Sequence, residues 1–482
     1  MIPTLHTIKD VYADASAHEA RYAGILNKFQ SLYGRKPEFV TRAPGRVNII
    51  GDHIDYSYYS VLPMAIENDF VIAVATTDDH KVSLANLDPR FSGCTFEMPQ
   101  HGDVEIDAVN MVWSNYFKCG VVVANRYMRE KTPGFRPKGM QIVVHGNVPA
   151  GGGLSSSAAF VVSATLAVLR SNGYDKVDKK LLVKLSTTCE QLIGVNSGGM
   201  DQSASVFGEK DHALFVSFRP ELDVKPMQFA QTTPFVLIIA NSLLEVHKHD
   251  SAPECYNLRV VEVTLAAKLL EKRLGITIPQ DGLLSAGTLR GVMECFSGKE
   301  ASIANLKAML PQVEKYLDPE GYTSARIASE LGISESELEA KYFTEFPVRF
   351  SKLKLYQRAK HVYEEALRVL EFVSIMGDNS PDTLQKLGEY MNASHKSSQT
   401  LFDNSHEAVD EIVEIARSAG SLGSRVTGAG WGGCTVHLVP SNKAEAVKKA
   451  LREQYYAKRY PNAPEDALIE SVAGSGTVLL EF

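Results

Sequence analysis

The sequence predicts a two-lobed α+β protein, and three observations carry that expectation. A chain of 482 residues suits two domains. Its first third interleaves short β-branched runs with turns, and its second half is dominated by helical periodicity. The division is expected at about residue 230, in the turn-rich stretch from Thr232 to Pro234, giving domains of 1–230 and 231–482.

In chain order, "DFVIAVATT" (Asp69 to Thr77) and "MQIVVHGNV" (Met140 to Val148) are rich in β-branched residues and predict strands. "SSSAAFVVSATLAVLR" (Ser155 to Arg170) is apolar nearly all round and predicts a buried helix. "FVLIIANSLL" (Phe235 to Leu244) predicts the first strand of the second lobe. Ser334 stands three residues before Glu337, the spacing of a capping box that opens a short helix. Farther on, Leu355, Ala359, Val362, Ala366, Val369 and Val373 recur in steps of three and four and mark one face of a helix. "CTVHLVP" (Cys434 to Pro440) and a final "GTVLLEF" predict strands. A cleft between two such lobes is a common ligand site.

Composition narrows the function. Apolar residues make up 44% and charged residues 22%, with a net charge of −7. A general nucleic-acid or membrane-surface binder needs a basic field, so neither is expected as a direct partner. No apolar run is long enough to span a bilayer. The first twenty residues carry early charges and no signal-like apolar core, so a cytoplasmic location is expected. The six cysteines are scattered without a CxxC pair, which predicts reduced thiols and no zinc site.

The chemistry is concentrated in three segments. In "VPAGGGLSSSAAFVV", Gly151, Gly152 and Gly153 precede the predicted helix. Glycines let the backbone approach a bulky anion, and a helix start supplies unpaired N–H groups and partial positive charge. Together they form a phosphate cradle. Ser155, Ser156 and Ser157 add hydroxyl oxygens suited to phosphate or magnesium. No GxxxxGK[ST] occurs, so this is not a Walker A loop. "TRAPGRVNIIGDHIDYSYYSVLPMAI" packs Arg46, Asp52, His53 and Asp55 into ten residues, and "VTGAGWGGCTVHLV" places Gly428, Gly430, Gly432 and Gly433 ahead of a strand.

Together these segments resemble the three signature motifs of the GHMP small-molecule kinases. "GRVNIIGDHIDY" is similar to the galactokinase signature, read GRVN-[LI]-IGEH-x-DY, and "WSNYFKCG", "VNSGGMDQSASVFGEKDHAL", "YNLRVVEVTLAAKLL" and "LKLYQRAKHVY" resemble eukaryotic, especially fungal, galactokinases. The resemblance runs from about residue 35 to the C-terminus. It implies an N-terminal ribosomal-S5-like domain and a C-terminal ferredoxin-like α/β domain with the active site between them. The implied reaction transfers the γ-phosphoryl group of ATP, with Mg2+, to O1 of α-D-galactose.

Residue by residue, the resemblance assigns Asp201 of "GGMDQ" as catalytic base and Arg46 as the cation beside it. Such a cation favours the ionised carboxylate and can stabilise charge on the transferring group. The ATP phosphates are assigned to Gly151 through Ser157, Leu154 among them, the adenine pocket to Trp113, and the metal to Ser157 and Glu190. Sugar recognition is assigned to Asp52, His53, Asp55 and Tyr256, with Asp55 at the O3/O4 edge and the pair at 52 and 53 at O6. Most members carry Glu where Asp52 stands. The shorter acid requires either a loop closer to the sugar or a bridging water.

Two rivals share these motifs. An N-acetylgalactosamine kinase differs in the room it leaves at C2, and Tyr256 points to the galactokinase alternative. A galactose- and ATP-dependent sensor would engage a transcriptional repressor, with or without kinase activity; intact "GLSSSAA" and Asp201 predict that catalysis is retained. The segment "GYTSARIASELGISESELEAKYF" could serve a partner but is read as a peripheral helix pair. A monomer is expected.

Overall fold

The structure, a computed structural model, describes residues 1–107, 112–149, 151–193, 198–230, 234–244, 251–344 and 347–482. Thr232 and Thr233 of the expected boundary turn, and Val195 to Ser197 of the stretch before Asp201, lie outside these residues.

Strand alternation builds the first lobe. Its seven-stranded sheet runs in the spatial order Thr4–Leu5, Val478–Leu480, Phe39–Ile50, Leu62–Thr77, Gly139–Gly146, Lys81–Asn86, Cys94–Glu97. Successive side chains of a strand point to opposite faces. Ile72 and Val74, with Ile142 and Val144, therefore pack on one side against Phe117 and Phe160 of the helices Ser114–Lys131 and Ser156–Ser171. Val71, Ala73 and Ala75 pack on the other against Ile25 and Phe29 of helix Ser16–Tyr33. Helix Ser156–Ser171 is buried nearly all round, from Ala158 through Leu169, as its composition predicts.

The second lobe holds a four-stranded antiparallel sheet in the order Gly423–Val426, Cys434–Pro440, Phe235–Asn241, Leu468–Ser471. Leu237, Ile239, Val436 and Leu438 join the core that includes Val369 and Met391 of helices Leu355–Met376 and Thr383–Ser397. Ile238, Ala240 and Val439 join Ile412 and Val447 of helices Glu407–Ser418 and Ala444–Leu451.

One local expectation is met with a small adjustment and another is met directly. The predicted face of helix Leu355–Met376 is buried at Leu355, Ala359, Val362, Ala366 and Val369, but Phe372 rather than Val373 completes it. Ser334 and Glu337 form the predicted capping box of helix Glu335–Tyr342, beside helix Ser324–Leu331. The chain does not divide between the sheets at one point, because the strand Val478–Leu480 returns to the first sheet and pairs with Val40 to Arg42. Among the described residues, no helix is long and apolar enough to cross a membrane.

The lobes meet along strand Phe39–Ile50. Thr427 Oγ donates to the Asn48 carbonyl (2.9 Å) and accepts from its N–H (3.0 Å). The two glycine loops touch there. A Cβ on Gly428, whose φ is +81°, would lie 2.5 Å from the Gly153 carbonyl oxygen, so only glycine fits the contact.

Candidate active site

Among the described residues, a solvent-open cleft of about 960 Å³ lies between the lobes. Its described lining includes residues from Arg46 to Asp55, the first glycine loop, Glu190, Met200 and Asp201, Ser251 and Ala252 with the start of helix Tyr256–Leu274, and the loop from Gly428 to Gly433.

At its centre Arg46 and Asp201 form an ion pair. Arg46 Nε and Nη2 both donate to Asp201 Oδ1, at 2.8 and 2.7 Å. Arg46 Nη1 donates to the Gly153 carbonyl at 2.6 Å, tying the pair to the glycine loop. Asp201 is the second residue of helix Met200–Phe207, where the helix dipole favours a negative charge. Its side chain keeps 17% of its surface exposed, so a substrate can reach it. Ser155 adopts a left-handed backbone conformation (φ 60°) at the start of helix Ser156–Ser171, and its hydroxyl donates to Asp201 Oδ2 instead of capping the helix. The sequence pointed this hydroxyl at phosphate; the structure gives it to the carboxylate.

The residues expected to read the sugar gather on one wall. His53 (φ 62°) pairs through Nδ1 with the Tyr56 hydroxyl (3.0 Å) and donates through Nε2 to the Ala429 carbonyl (2.8 Å). Its ring packs against those of Tyr256, Phe402 and Trp431, with centroids 5.3, 4.8 and 5.6 Å away. Asp55 is buried, and Oδ2 accepts from the Met200 N–H at 3.4 Å. Asp52 also lines the cleft, but its carboxylate is 1% exposed; Oδ1 accepts from Asn48 Nδ2 and Oδ2 from Arg425 Nη2 (2.6 Å).

Glu190, buried on helix Lys179–Leu192, lines the cleft as well. Ser156 and Ser157 open helix Ser156–Ser171 and are half-buried. Trp113 is not brought to the cleft. Its indole N–H donates to the Ser92 carbonyl (2.9 Å), and its ring stacks near Phe160 with centroids 6.0 Å apart.

Sequence reasoning missed Arg425, Phe402 and Trp431. Trp431 carries the Arg259 guanidinium over its ring at 5.6 Å, and its backbone N–H donates to the Asn404 carbonyl at 2.7 Å. The only signal for Trp431 was a bulky residue amid four glycines, and nothing local marked the other two.

Burial, and then the Asp201 charge, push the Asp55 carboxyl up to about 6. The folded state therefore holds this proton more tightly than the unfolded chain. That contribution is complete below the usual carboxylate range and is lost as pH rises through about 6. Asp55→Asn should accordingly raise Tm relative to the parent at pH 7.5 and not at pH 4, as thermal unfolding at the two pH values would show. An equal shift at both would disprove the burial of an ionised group.

Comparisons with known proteins establish the family. Residues 27–76 match the galactokinase galactose-binding signature, 115–209 the GHMP kinase N-terminal domain and 382–457 the GHMP kinase C-terminal domain. Galactokinase of Schizosaccharomyces pombe is 39% identical, over 98% of this chain and 97% of that protein. Galactokinase of Saccharomyces cerevisiae is 42% identical, over 95% and 94%. The crystal structure of Lactococcus lactis galactokinase complexed with galactose superposes with a TM-score of 0.72 at 25% identity, covering 95% of this chain and 99% of that one. The chain belongs to the galactokinase family of the GHMP kinases and is of the eukaryotic type.

Proposed function

We propose that this galactokinase transfers the γ-phosphoryl group of ATP to the anomeric O1 of α-D-galactose with Asp201 as base, and that the Arg46–Asp201 pair in the cleft is the observation that carries the assignment. Arg46 places two donors on Oδ1 and leaves Oδ2 less committed. Oδ2 is thus the oxygen to accept the O1 proton as the O1–P bond forms and the bond from the γ-phosphorus to the bridging oxygen breaks. The Ser155 hydroxyl holds Oδ2 in place. Such transfer is mostly positioning and charge stabilisation. Arg46, anchored on the Gly153 carbonyl, supplies a fixed positive charge beside the reacting groups.

The sugar wall comprises His53, Asp55 and Tyr256. The raised affinity of Asp55 for a proton suits a buried carboxyl that gains hydroxyl partners on binding.

The nucleotide phosphates are assigned to Gly151, Gly152, Gly153 and the N–H groups opening helix Ser156–Ser171. The described lining residues include the carboxylates Asp52, Asp55, Glu190 and Asp201 but one guanidinium, Arg46. A polyphosphate entering this acidic cleft needs an accompanying cation, so the chemistry of the wall fits Mg2+. No three metal-ligating side chains converge among the described residues, which fits an ion that takes most of its ligands from phosphate and water. Ser157 and Glu190 would hold it. When bound, the ion supplies charge neutralisation on the phosphates.

The reading is tested by ATP-coupled turnover of galactose beside N-acetylgalactosamine, glucose and mevalonate. Faster phosphorylation of N-acetylgalactosamine than of galactose would sink the substrate assignment. Ser157→Ala should raise the Mg2+ concentration needed for half-maximal rate by about tenfold or more, since even supporting contacts at a metal site carry about that weight, and leave calorimetric galactose binding unchanged. An unaltered magnesium titration would remove Ser157 from the metal site.

A further inference from the structure

The turn that carries the sugar wall is held from the other lobe. Arg425, on strand Gly423–Val426, is fully buried and donates through Nη2 to Asp52 Oδ2 at 2.6 Å and through Nη1 to the Asn48 carbonyl at 3.1 Å. Its Nε donates to Ser394 Oγ at 3.1 Å, and Ser394 donates to Glu365 Oε1 at 2.6 Å. Glu365 Oε1 in turn accepts the Gly51 N–H at 2.9 Å. His361 Nε2 reaches the Asp52 carbonyl at 3.3 Å. Both peptide groups flanking the turn and both oxygens of Asp52 are thereby bonded before any substrate arrives.

We propose that Arg425 is a positioning residue for galactose, acting through Asp52, and that the Asp52 carboxylate anchors the sugar-binding turn to the second lobe instead of accepting a sugar hydroxyl. A carboxylate that is 1% exposed and already bonded at each oxygen offers almost no surface to a ligand. Its position does matter, because His53 and Asp55 follow directly on the turn that it fixes. A cation and an anion buried together tolerate joint neutralisation far better than loss of one partner. The pair therefore sets where His53 and Asp55 stand without touching the sugar. The inference rests on reading the cleft as the galactose site.

The test is a double-mutant cycle on the full chain: Asp52→Asn, Arg425→Met and both together, with Arg425→Lys as the conservative variant. KM and kcat are measured with galactose and with 6-deoxygalactose, and thermal unfolding is recorded alongside. Each neutralising single variant should raise the KM for galactose by about tenfold or more, with a smaller effect on kcat and on the KM for ATP. The double variant should recover most of the lost affinity, and Arg425→Lys should lie between it and the parent. The ratio of kcat/KM for galactose over 6-deoxygalactose should stay constant through the series.

A ratio that collapses in both Asp52→Asn and the double variant would show Asp52 on the sugar O6 and overturn the proposal. So would an Arg425→Lys or Arg425→Met protein with lowered Tm but unchanged KM, since a merely structural role predicts that result. If a neutralising single variant does not fold, the double variant and Arg425→Lys still decide the matter through the sugar ratio. A parent protein without galactose turnover would instead overturn the reading of the cleft, and the inference with it.

Discussion

Asp201→Asn should still bind galactose while kcat falls by about 10²–10⁴, the usual weight of general base catalysis. The substitution is nearly isosteric. Its carbonyl oxygen can keep both Arg46 donors, and the Ser155 hydroxyl can turn to accept from the new amide. What the amide cannot do is take the O1 proton. Arg46→Ala should also lower kcat, because it frees Oδ1 and releases the Gly153 carbonyl together. The two residues act as one unit through a shared ion pair, so their losses should not add. The double variant should lie close to the worse single variant. An alternative mechanism makes Asp201 a purely electrostatic and positioning group, with the sugar proton leaving late to phosphate. Turnover at saturating galactose and ATP separates the two, with calorimetry to confirm that the sugar binds. Near-normal kcat in Asp201→Asn would refute its assignment as base.

What the sequence disclosed follows from how far each signal reaches. A helix buried all round is written in its own residues, and Ser156–Ser171 was legible from composition alone. So was the capping box at Ser334 and Glu337, a contact over three residues. The three short motifs that carry the chemistry were legible because each is contiguous, and the fold brings Arg46, Asp55, Asp201 and the glycine loops to one cleft. Contacts between distant segments left no such trace. Arg358, His361 and Glu365 lie buried on the helix whose apolar face the spacing identified. Their partners are Glu262, the Asp52 carbonyl and the Gly51 N–H, up to 314 residues away. Periodicity records which residues share a face, and it is silent on a buried charge whose neutralising partner lies elsewhere. For the same reason the assignment of Asp52 to the sugar carried no sign of its ion pair: its motif is local, while Arg425, which bonds its carboxylate, stands 373 residues later. Ser155 differs in kind, since its hydroxyl is aimed by a left-handed backbone angle that no spacing rule foretells.

Gly198→Ala should lower kcat/KM for galactose by about 10²-fold, the loss that a misplacement of about an ångström can cause. Gly198 precedes the base helix and lies against the sugar turn. A Cβ built there would stand 2.5 Å from both the Asp55 carbonyl carbon and the Tyr56 nitrogen, and 2.6 Å from the Asp55 carboxyl carbon. Two of these three are backbone atoms and cannot swing aside. Either the turn carrying Asp55 moves away, or the start of helix Met200–Phe207 moves with Asp201 on it. The first outcome costs sugar affinity, because Asp55 leaves the wall and loses its contact with the Met200 N–H. The second costs turnover, because the base leaves the sugar oxygen. Overpacking of this kind costs about 1–3 kcal/mol of stability, well within the roughly 5–15 kcal/mol typical of folded domains, so a folded protein is expected. Thermal unfolding establishes that, and steady-state kinetics then tell the outcomes apart: a raised KM for galactose identifies the turn, and a lowered kcat with normal KM identifies the helix. A folded Gly198→Ala protein with parental kcat/KM would mean that the Asp55 turn and the Asp201 helix are not held in register by this contact.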